Sequence, residues 1–217
     1  MSGAYETLDI AIAEHIAVLT LSREARHNAI SSRMNVELPR AWRQLEEDPA
    51  VRVIVVTGAG RKAFCTGADL GDLPKTEDPE FAQQLASIGW TGRQNGVTKP
   101  VIAAINGLAV GAGLHFAADA DIVLAADHAQ FVDSHVAVGL IAALEPIGLA
   151  RRMPLGAVMK LALTGGDERL SAQEAWRVGM VDEIMPLDEL MPRAMELARS
   201  IARHSPTAVA RTRAAIW

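Results

Sequence analysis

The chain has 217 residues, 50% of them apolar and 22% charged, a composition that lets it bury a sizeable core and that excludes disordered or collagen-like architecture. Its 21 basic and 26 acidic residues give a formal charge of −5 with no long basic run, so the electrostatic footprint of a nucleic-acid binder is missing. The single cysteine, Cys65, excludes an internal disulfide and any site built on a thiolate pair. The opening stretch MSGAYETLDIAIAEHIAVLTLS lacks the basic-then-apolar order of a leader. The expectation is therefore a soluble cytoplasmic protein with no metal, no membrane partner and no nucleic acid.

In chain order, the apolar stretch Leu8 to Leu21 is interrupted at Glu14-His15 and predicts two short strands joined by a turn. Met34, Leu38, Ala41, Trp42 and Leu45 recur at helical spacing after Ser31 or Ser32 as cap, with Pro39 the awkward member of that helix. The β-branched run VRVIVVT (51–57) reads as a strand that stops at Gly58-Ala59-Gly60. A polar stretch around 71–80 and a second helix to about Asn95 follow. Pro100 then precedes the buried-strand pattern VIAAI, and Asn106-Gly107 turns the chain. Segment 107–121, GLAVGAGLHFAADAD, is glycine-punctuated and then helix-favouring, and IVLAA (122–126) returns as a strand. The remainder predicts a helix from about Pro146, a capping-box start at Ser171-Ala-Gln-Glu174, and a last helical stretch beyond Leu187. Crossovers of this kind give an α/β fold, with no fixed-period repeat and no linker-like boundary.

Gly58-Ala-Gly60-Arg-Lys-Ala63 fits the loose dinucleotide-binding pattern after a buried strand. Phe64-Cys65-Thr66-Gly67, poor helix formers, stand where the phosphate-binding helix belongs, so a plain surface turn is the better reading. More informative are two glycine-containing turns taken together, FCTGADL (64–70) and GLAVGAGL (107–114). Each can present a backbone N–H at a bend where small side chains admit a ligand, and two such amides converging on one oxygen make an oxyanion hole. From spacing alone, tight packing of these turns on neighbouring strands explains them equally well.

The strings REARHNAI (23–30), AFCTGADL (63–70), KPVIAAINGLAVGAGLHFAADADIVLAAD (99–127), AQF (129–131) and LTGGDERLSAQEAWRVGMVDEIMP (163–186) resemble, in order, the enoyl-CoA hydratase/isomerase or crotonase family. The resemblance implies an α/β, crotonase-like spiral of ββα/βαβ units with C-terminal helices, here shortened: a core at 1–186 and a helical segment at 187–217 of the same domain. It implies an acyl-coenzyme A thioester as substrate, with coenzyme A entering as part of that substrate and no separate cofactor. The enolate would be stabilised by the amides of Ala68 and Ala112, the second commonly a glycine in the family. Coenzyme A would meet the turn Arg23 to Asn28, with Arg26, Ala68, Asp69 and Leu70 as contacts; Asp69 also reads as a structural partner of the turn presenting Ala68. A homo-oligomer, trimer or hexamer, is implied as well.

The acid/base positions depart from the family pattern. Where typical hydratases in the family carry two glutamates, this chain has His115 and His135. Imidazole accepts or donates a proton near neutral pH, so either histidine can carry acid/base chemistry. Glu145, just before Pro146, reads as a helix N-terminal carboxylate; the resemblance, in which other family members also place a carboxylate near the acyl group from this stretch, implies instead a group that orients or charges a histidine or acts as base; Asp133 is a further orienting candidate. The leading expectation is an enoyl-CoA hydratase/isomerase-type enzyme. The alternatives are a hydrolase cleaving the carbon–carbon bond of a β-diketone with His115, His135 and Glu145, and a non-catalytic acyl-CoA-binding homologue.

Overall fold

The computed structural model describes residues 5–69, 71–72 and 88–217. β1 (Leu8–Ala13) and β2 (Ile16–Leu21) form the expected antiparallel hairpin, with Glu14 and His15 both at positive φ in its tight turn. After a short 3₁₀ turn at Glu24–Arg26, helix α1 (Ser32–Glu47) is capped by Ser31, whose hydroxyl accepts from the Met34 N–H at 3.1 Å. Its buried face carries Met34, Leu38, Ala41, Trp42 and Leu45, the predicted stripe, and Pro39 is accommodated inside it. Glu37, unremarkable in the sequence, belongs to the same buried face.

The Glu37 carboxylate accepts from the N–H groups of Glu6 and Thr7 at 3.0 Å each, from the Thr7 hydroxyl at 2.6 Å and from Arg33 at 2.9 Å. Burial pushes this carboxyl up, but the three hydrogen bonds and Arg33 outweigh it and hold it below its ordinary value. A depressed folded value means stability that is present at neutral pH and lost as pH falls through the folded pKa. Glu37→Ala leaves those donors buried without an acceptor and should cost about 3 kcal/mol in denaturant unfolding. An unchanged midpoint would mean the cluster contributes nothing to tethering the segment before β1.

From β3 onward the chain repeats one backbone figure: a long strand in one sheet, a turn, then a short strand in a second sheet. β3 (Val53–Gly58) is followed by β4 (Ala63–Cys65), β5 (Val101–Ile105) by β6 (Leu108–Val110), and, after helix α2 (Gly113–Asp119), β7 (Ile122–Ala126) by β8 (Gln130–Val132). Helices α3 (Leu144–Leu149) and α4 (Leu155–Leu163), strand β9 (Leu170–Ser171), helix α5 (Ala172–Arg177), strand β10 (Glu183–Met185) and helices α6 (Leu187–Ala202) and α7 (Pro206–Ile216) complete the described residues. The long strands build a six-stranded sheet in the order β1-β2-β3-β5-β7-β10, parallel from β2 onward, and the short ones a four-stranded sheet β4-β6-β8-β9.

The larger sheet is covered on both sides, which is why β3 reads as continuous Val/Ile rather than alternating. Ile54 and Val56 face the main core with Trp42, Phe64 and Phe116, whereas Val53 and Val55 face α6, which meets them with Leu190, Ala194 and Ala198 at four-residue spacing. Small residues there let α6 lie close to the sheet.

Several expected elements are corrected in detail. The helix predicted to run to about Asn95 ends outside regular helix, because residues 88–92 are irregular and only Arg93–Asn95 form a 3₁₀ turn; the rest of that prediction lies outside the described residues. The helix assigned from Pro146 begins at Leu144, with Pro146 still in its first turn, where its missing N–H has no intrahelical partner to lose. The glycine-rich stretch before α2 contains β6, too short to register as a periodic pattern. The capping box at Ser171 and Glu174 forms as expected.

Candidate active site

The turn at 58–63, which fits the loose dinucleotide-binding pattern, is held from within the fold. Its carbonyls are engaged by two buried amides: Asn28 Nδ2 donates to Ala59 O and Ala63 O at 2.9 Å, and Asn106 Nδ2 to Gly60 O at 2.9 Å. β4 follows it, not a helix, so the turn is structural.

The chain next runs from β4 into the Ala68 turn. Ile30 bridges this turn in parallel fashion: its N–H donates to Gly67 O at 2.8 Å and its carbonyl accepts from the Asp69 N–H at 2.9 Å. Pairing of that kind uses the groups flanking Ala68 and directs Ala68's own N–H away from Ile30. Among the described residues this N–H donates no hydrogen bond. Asp69 secures the turn from below, accepting from Arg23 twice at 3.0 Å, from Arg26 at 3.3 Å and from the Gly71 N–H at 3.2 Å. Burial raises its carboxyl, yet the two arginines and Gly71 bring it below its ordinary value. Its side chain is thus committed to the turn, as one of the two sequence readings had it. Leu70 lies outside the described residues.

The second turn, between β6 and α2, approaches the first through glycines. A Cβ on Gly113 would overlap the Cys65 carbonyl oxygen, and one on Gly67 would sit 3.0 Å from Val110 O and 3.6 Å from the Ala112 N. The two segments therefore touch backbone to backbone, bringing Ala68 and Ala112 to one place. Gly111 takes positive φ, donates its N–H to Val132 O at 3.0 Å, and leaves the Ala112 N–H without an acceptor among the described residues. Cys65, beneath this contact, is fully buried and its thiol is pushed up to about 12, chiefly by burial.

Three of the sequence candidates meet beside these amides. His115 on α2 is buried, and its Nε2 lies 3.1 Å from Glu145 Oε1. His135, at the start of a 3₁₀ turn after β8, puts its own Nε2 3.6 Å from the same oxygen and its Nδ1 2.7 Å from Asp133 Oδ1. Asp133 Oδ1 also accepts from the His135 N–H at 3.1 Å, so the weaker orienting candidate fixes both the backbone and the ring of His135. The His135 ring packs over Gly111: a Cβ there would lie 3.5 Å from its Cε1. The side chain keeps 22% of its surface exposed against 4% for His115, which makes His135 the more reachable imidazole. The hydrogen bond to Asp133 raises His135 above 6.5; burial opposes this, and the Glu145 and Asp133 charges add to it. Glu145 is raised by burial but brought below its ordinary value by the His115 hydrogen bond and by the charge of His135.

Arg26 keeps most of its side chain exposed while reaching Asp69. Its chain neighbours Ala25 and His27 line a groove of about 430 Å³ together with Glu24, Asn28 and Lys62. His27 belongs to the turn Arg23 to Asn28 that the resemblance set against coenzyme A, whereas Lys62 stood in the sequence only as a member of the loose dinucleotide pattern. A larger cavity of about 1150 Å³, between α7 and the start of β7, holds none of the candidate residues.

A family model described as enoyl-CoA hydratase/isomerase matches residues 11–216. The chain belongs to this family. It is 36% identical over 205 residues to an (E)-benzylidenesuccinyl-CoA hydratase of Thauera aromatica, covering 94% of this chain and 79% of that protein. It is also 36% identical to a carnitinyl-CoA dehydratase of Proteus mirabilis, over 84% of this chain and 70% of that one. A solved enoyl-CoA hydratase/isomerase from Mycobacterium paratuberculosis superposes with a TM-score of 0.90 at 37% identity, over 98% of this chain and 83% of that chain. The expected crotonase-like α/β fold with C-terminal helices is thereby established, and with it a hydratase-like function. No described helix is long and apolar enough to cross a membrane.

Proposed function

We propose that this enzyme adds water to a 2-enoyl-CoA thioester, with the Ala68 and Ala112 amides holding the thioester oxygen and His135 moving the proton. The observation that carries this reading is the packing of the His135 ring on Gly111, one residue before an amide with no acceptor among the described residues. Chemistry at a thioester places negative charge on the carbonyl oxygen, and preorganised donors there favour the transition state over the ground state. In the forward direction neutral His135 Nε2 takes a proton from water as the oxygen bonds to the β-carbon and the electron pair of the double bond moves onto the thioester as an enolate. The imidazolium then returns that proton to the α-carbon, so water is added and nothing is oxidised. Asp133 holds the Nδ1–H through both steps, and Glu145 stabilises the imidazolium between them.

Lys62 in the groove and Arg26 on the adjoining turn supply positive charge for the phosphates of coenzyme A. The hydratase and dehydratase names of the similar proteins support the same reaction class. A homo-oligomer is part of this reading: Ile141, Ile147, Leu155 and Leu163, close together in the chain, expose 88, 61, 66 and 64% of their surface, apolar area that a second copy could cover.

Calorimetric titration with coenzyme A and with crotonyl-CoA, while the enoyl absorbance is followed, tests the proposal. Binding with loss of absorbance is the expected result. Binding without turnover of any enoyl thioester would leave a non-catalytic acyl-CoA protein. Failure to bind either molecule would favour the β-diketone hydrolase, for which the His115, Glu145 and His135 cluster supplies the acid/base groups.

A further inference from the structure

The segment Trp90–Asn95 lies against α2 with side chains that the mechanism above does not use. Thr91 clamps it there: its hydroxyl donates to Asp119 Oδ2 at 2.7 Å and accepts from the Gln94 N–H at 3.3 Å. Asp119 stands four residues after His115 on the same helix, so segment and imidazole share one support. The Trp90 ring meets the His115 ring edge to face at 5.4 Å and is itself fixed by a 2.6 Å bond from its Nε1 to Asn35.

Gln94 closes this arrangement. Its Oε1 accepts from the Trp90 N–H at 2.8 Å and from the Thr91 N–H at 3.2 Å. The carboxamide can therefore point only one way, because the reversed amide would set its NH₂ against two N–H donors. With Oε1 so engaged, Nε2 faces His115 Nδ1 at 3.1 Å, and an amide nitrogen can only donate. Nδ1 must then be the bare, accepting nitrogen of the ring. The ring proton sits on Nε2, directed at Glu145 Oε1 3.1 Å away. The network differs at His135, where both ring nitrogens face carboxylate oxygens and either can carry a proton.

We propose that Gln94 is a positioning residue that fixes His115 as its Nε2–H tautomer, making His115 a permanent hydrogen-bond donor to Glu145 and leaving His135 as the one proton-transferring imidazole of the site. The tautomer follows from the network alone; its kinetic consequence rests on the hydratase reading. The two histidines that replace the family's two glutamates thus have separate duties, one orienting the shared carboxylate and one exchanging protons.

The tautomer is read directly from two-bond ¹H–¹⁵N correlations of histidine-labelled protein without substrate, with His115 assigned through a His115→Asn sample. Nδ1 of His115 should show the shift of an unprotonated nitrogen and Nε2 that of a protonated one near neutral pH. Gln94→Glu replaces the donor by an acceptor at the same place, so its His115 Nδ1 signal should move to the protonated position. In turnover of the enoyl thioester, the same variant should lose about ten-fold or more in kcat with little change in KM and gain a second imidazole limb in its pH profile. A protonated Nδ1 in the wild-type protein, or an unchanged His115 pattern in a folded Gln94→Glu protein, would overturn the assignment. Because the spectrum is taken without substrate, an inactive protein would count against the hydratase reading and leave the tautomer result standing.

Discussion

His135→Ala should lower kcat for enoyl-CoA hydration by about 10²–10⁴-fold while the protein stays folded, since its ring is partly exposed and its loss opens little core. The pH dependence makes this specific to proton transfer. Asp133 raises His135 above its ordinary value, so the neutral form that accepts a proton from water becomes the major one at higher pH than for a free imidazole, and the rate should climb with pH through the raised pKa. Asp133→Asn removes the main cause of the elevation, and the rising limb should move to lower pH even as the maximal rate falls. The linkage to stability has the opposite sign. A folded pKa raised above the unfolded one contributes stability that is fully present below the unfolded value and is lost as pH rises through the folded one. Glu145, depressed in the fold, contributes above its unfolded value and loses its contribution as pH falls. A limb that stays in place in Asp133→Asn, or full activity in His135→Ala, would remove His135 from the chemistry and leave Glu145 as the base to test.

Much of this arrangement can be traced in the sequence, and what cannot has physical reasons. The long strands were legible because a buried parallel strand must be continuously apolar, as VIVV and VIAAI are. The short strands β4, β6 and β8 have three residues each, too few for a period to emerge, so the two-sheet figure repeated along the chain leaves no sequence repeat. His115, His135 and Glu145 were singled out because the family pattern fixed the first two positions and allowed a carboxylate near the acyl group at the third. Their convergence on a single Glu145 oxygen is a tertiary fact that no spacing encodes. Gln94 was missed for a different reason: the segment before it reads as helix, and a glutamine there looks like a solvated surface residue. The sequence signal lies in the company it keeps, Trp90, Thr91 and Gly92 being poor helix formers together.

Gly113→Ala carries the second large effect, because it tests the backbone contact on which the amide pair depends. The first side-chain atom of any residue at 113 would collide with the carbonyl oxygen of Cys65, a backbone atom that cannot rotate away. Cys65 lies three residues before Ala68, and Gly113 immediately follows Ala112, so relief of the collision must separate the two amides. If both N–H groups stabilise one developing oxyanion, displacement of either should lower kcat by about 10²–10³-fold, and the overpacked contact should cost about 1–3 kcal/mol of stability. KM should change much less, because the amides act most strongly on charge that exists only in the transition state. Gly156 on α4 provides the contrast, since a Cβ there meets nothing within 4 Å, and Gly156→Ala should leave activity near that of the parent with stability unchanged or raised by up to about 1 kcal/mol. Full turnover by a folded Gly113→Ala protein would show that the reaction does not rely on the joined turns at Ala68 and Ala112. Loss of kcat confined to Gly113→Ala, with thioester binding retained, would tie catalysis to the spacing of those backbone donors, which is set by a residue with no side chain.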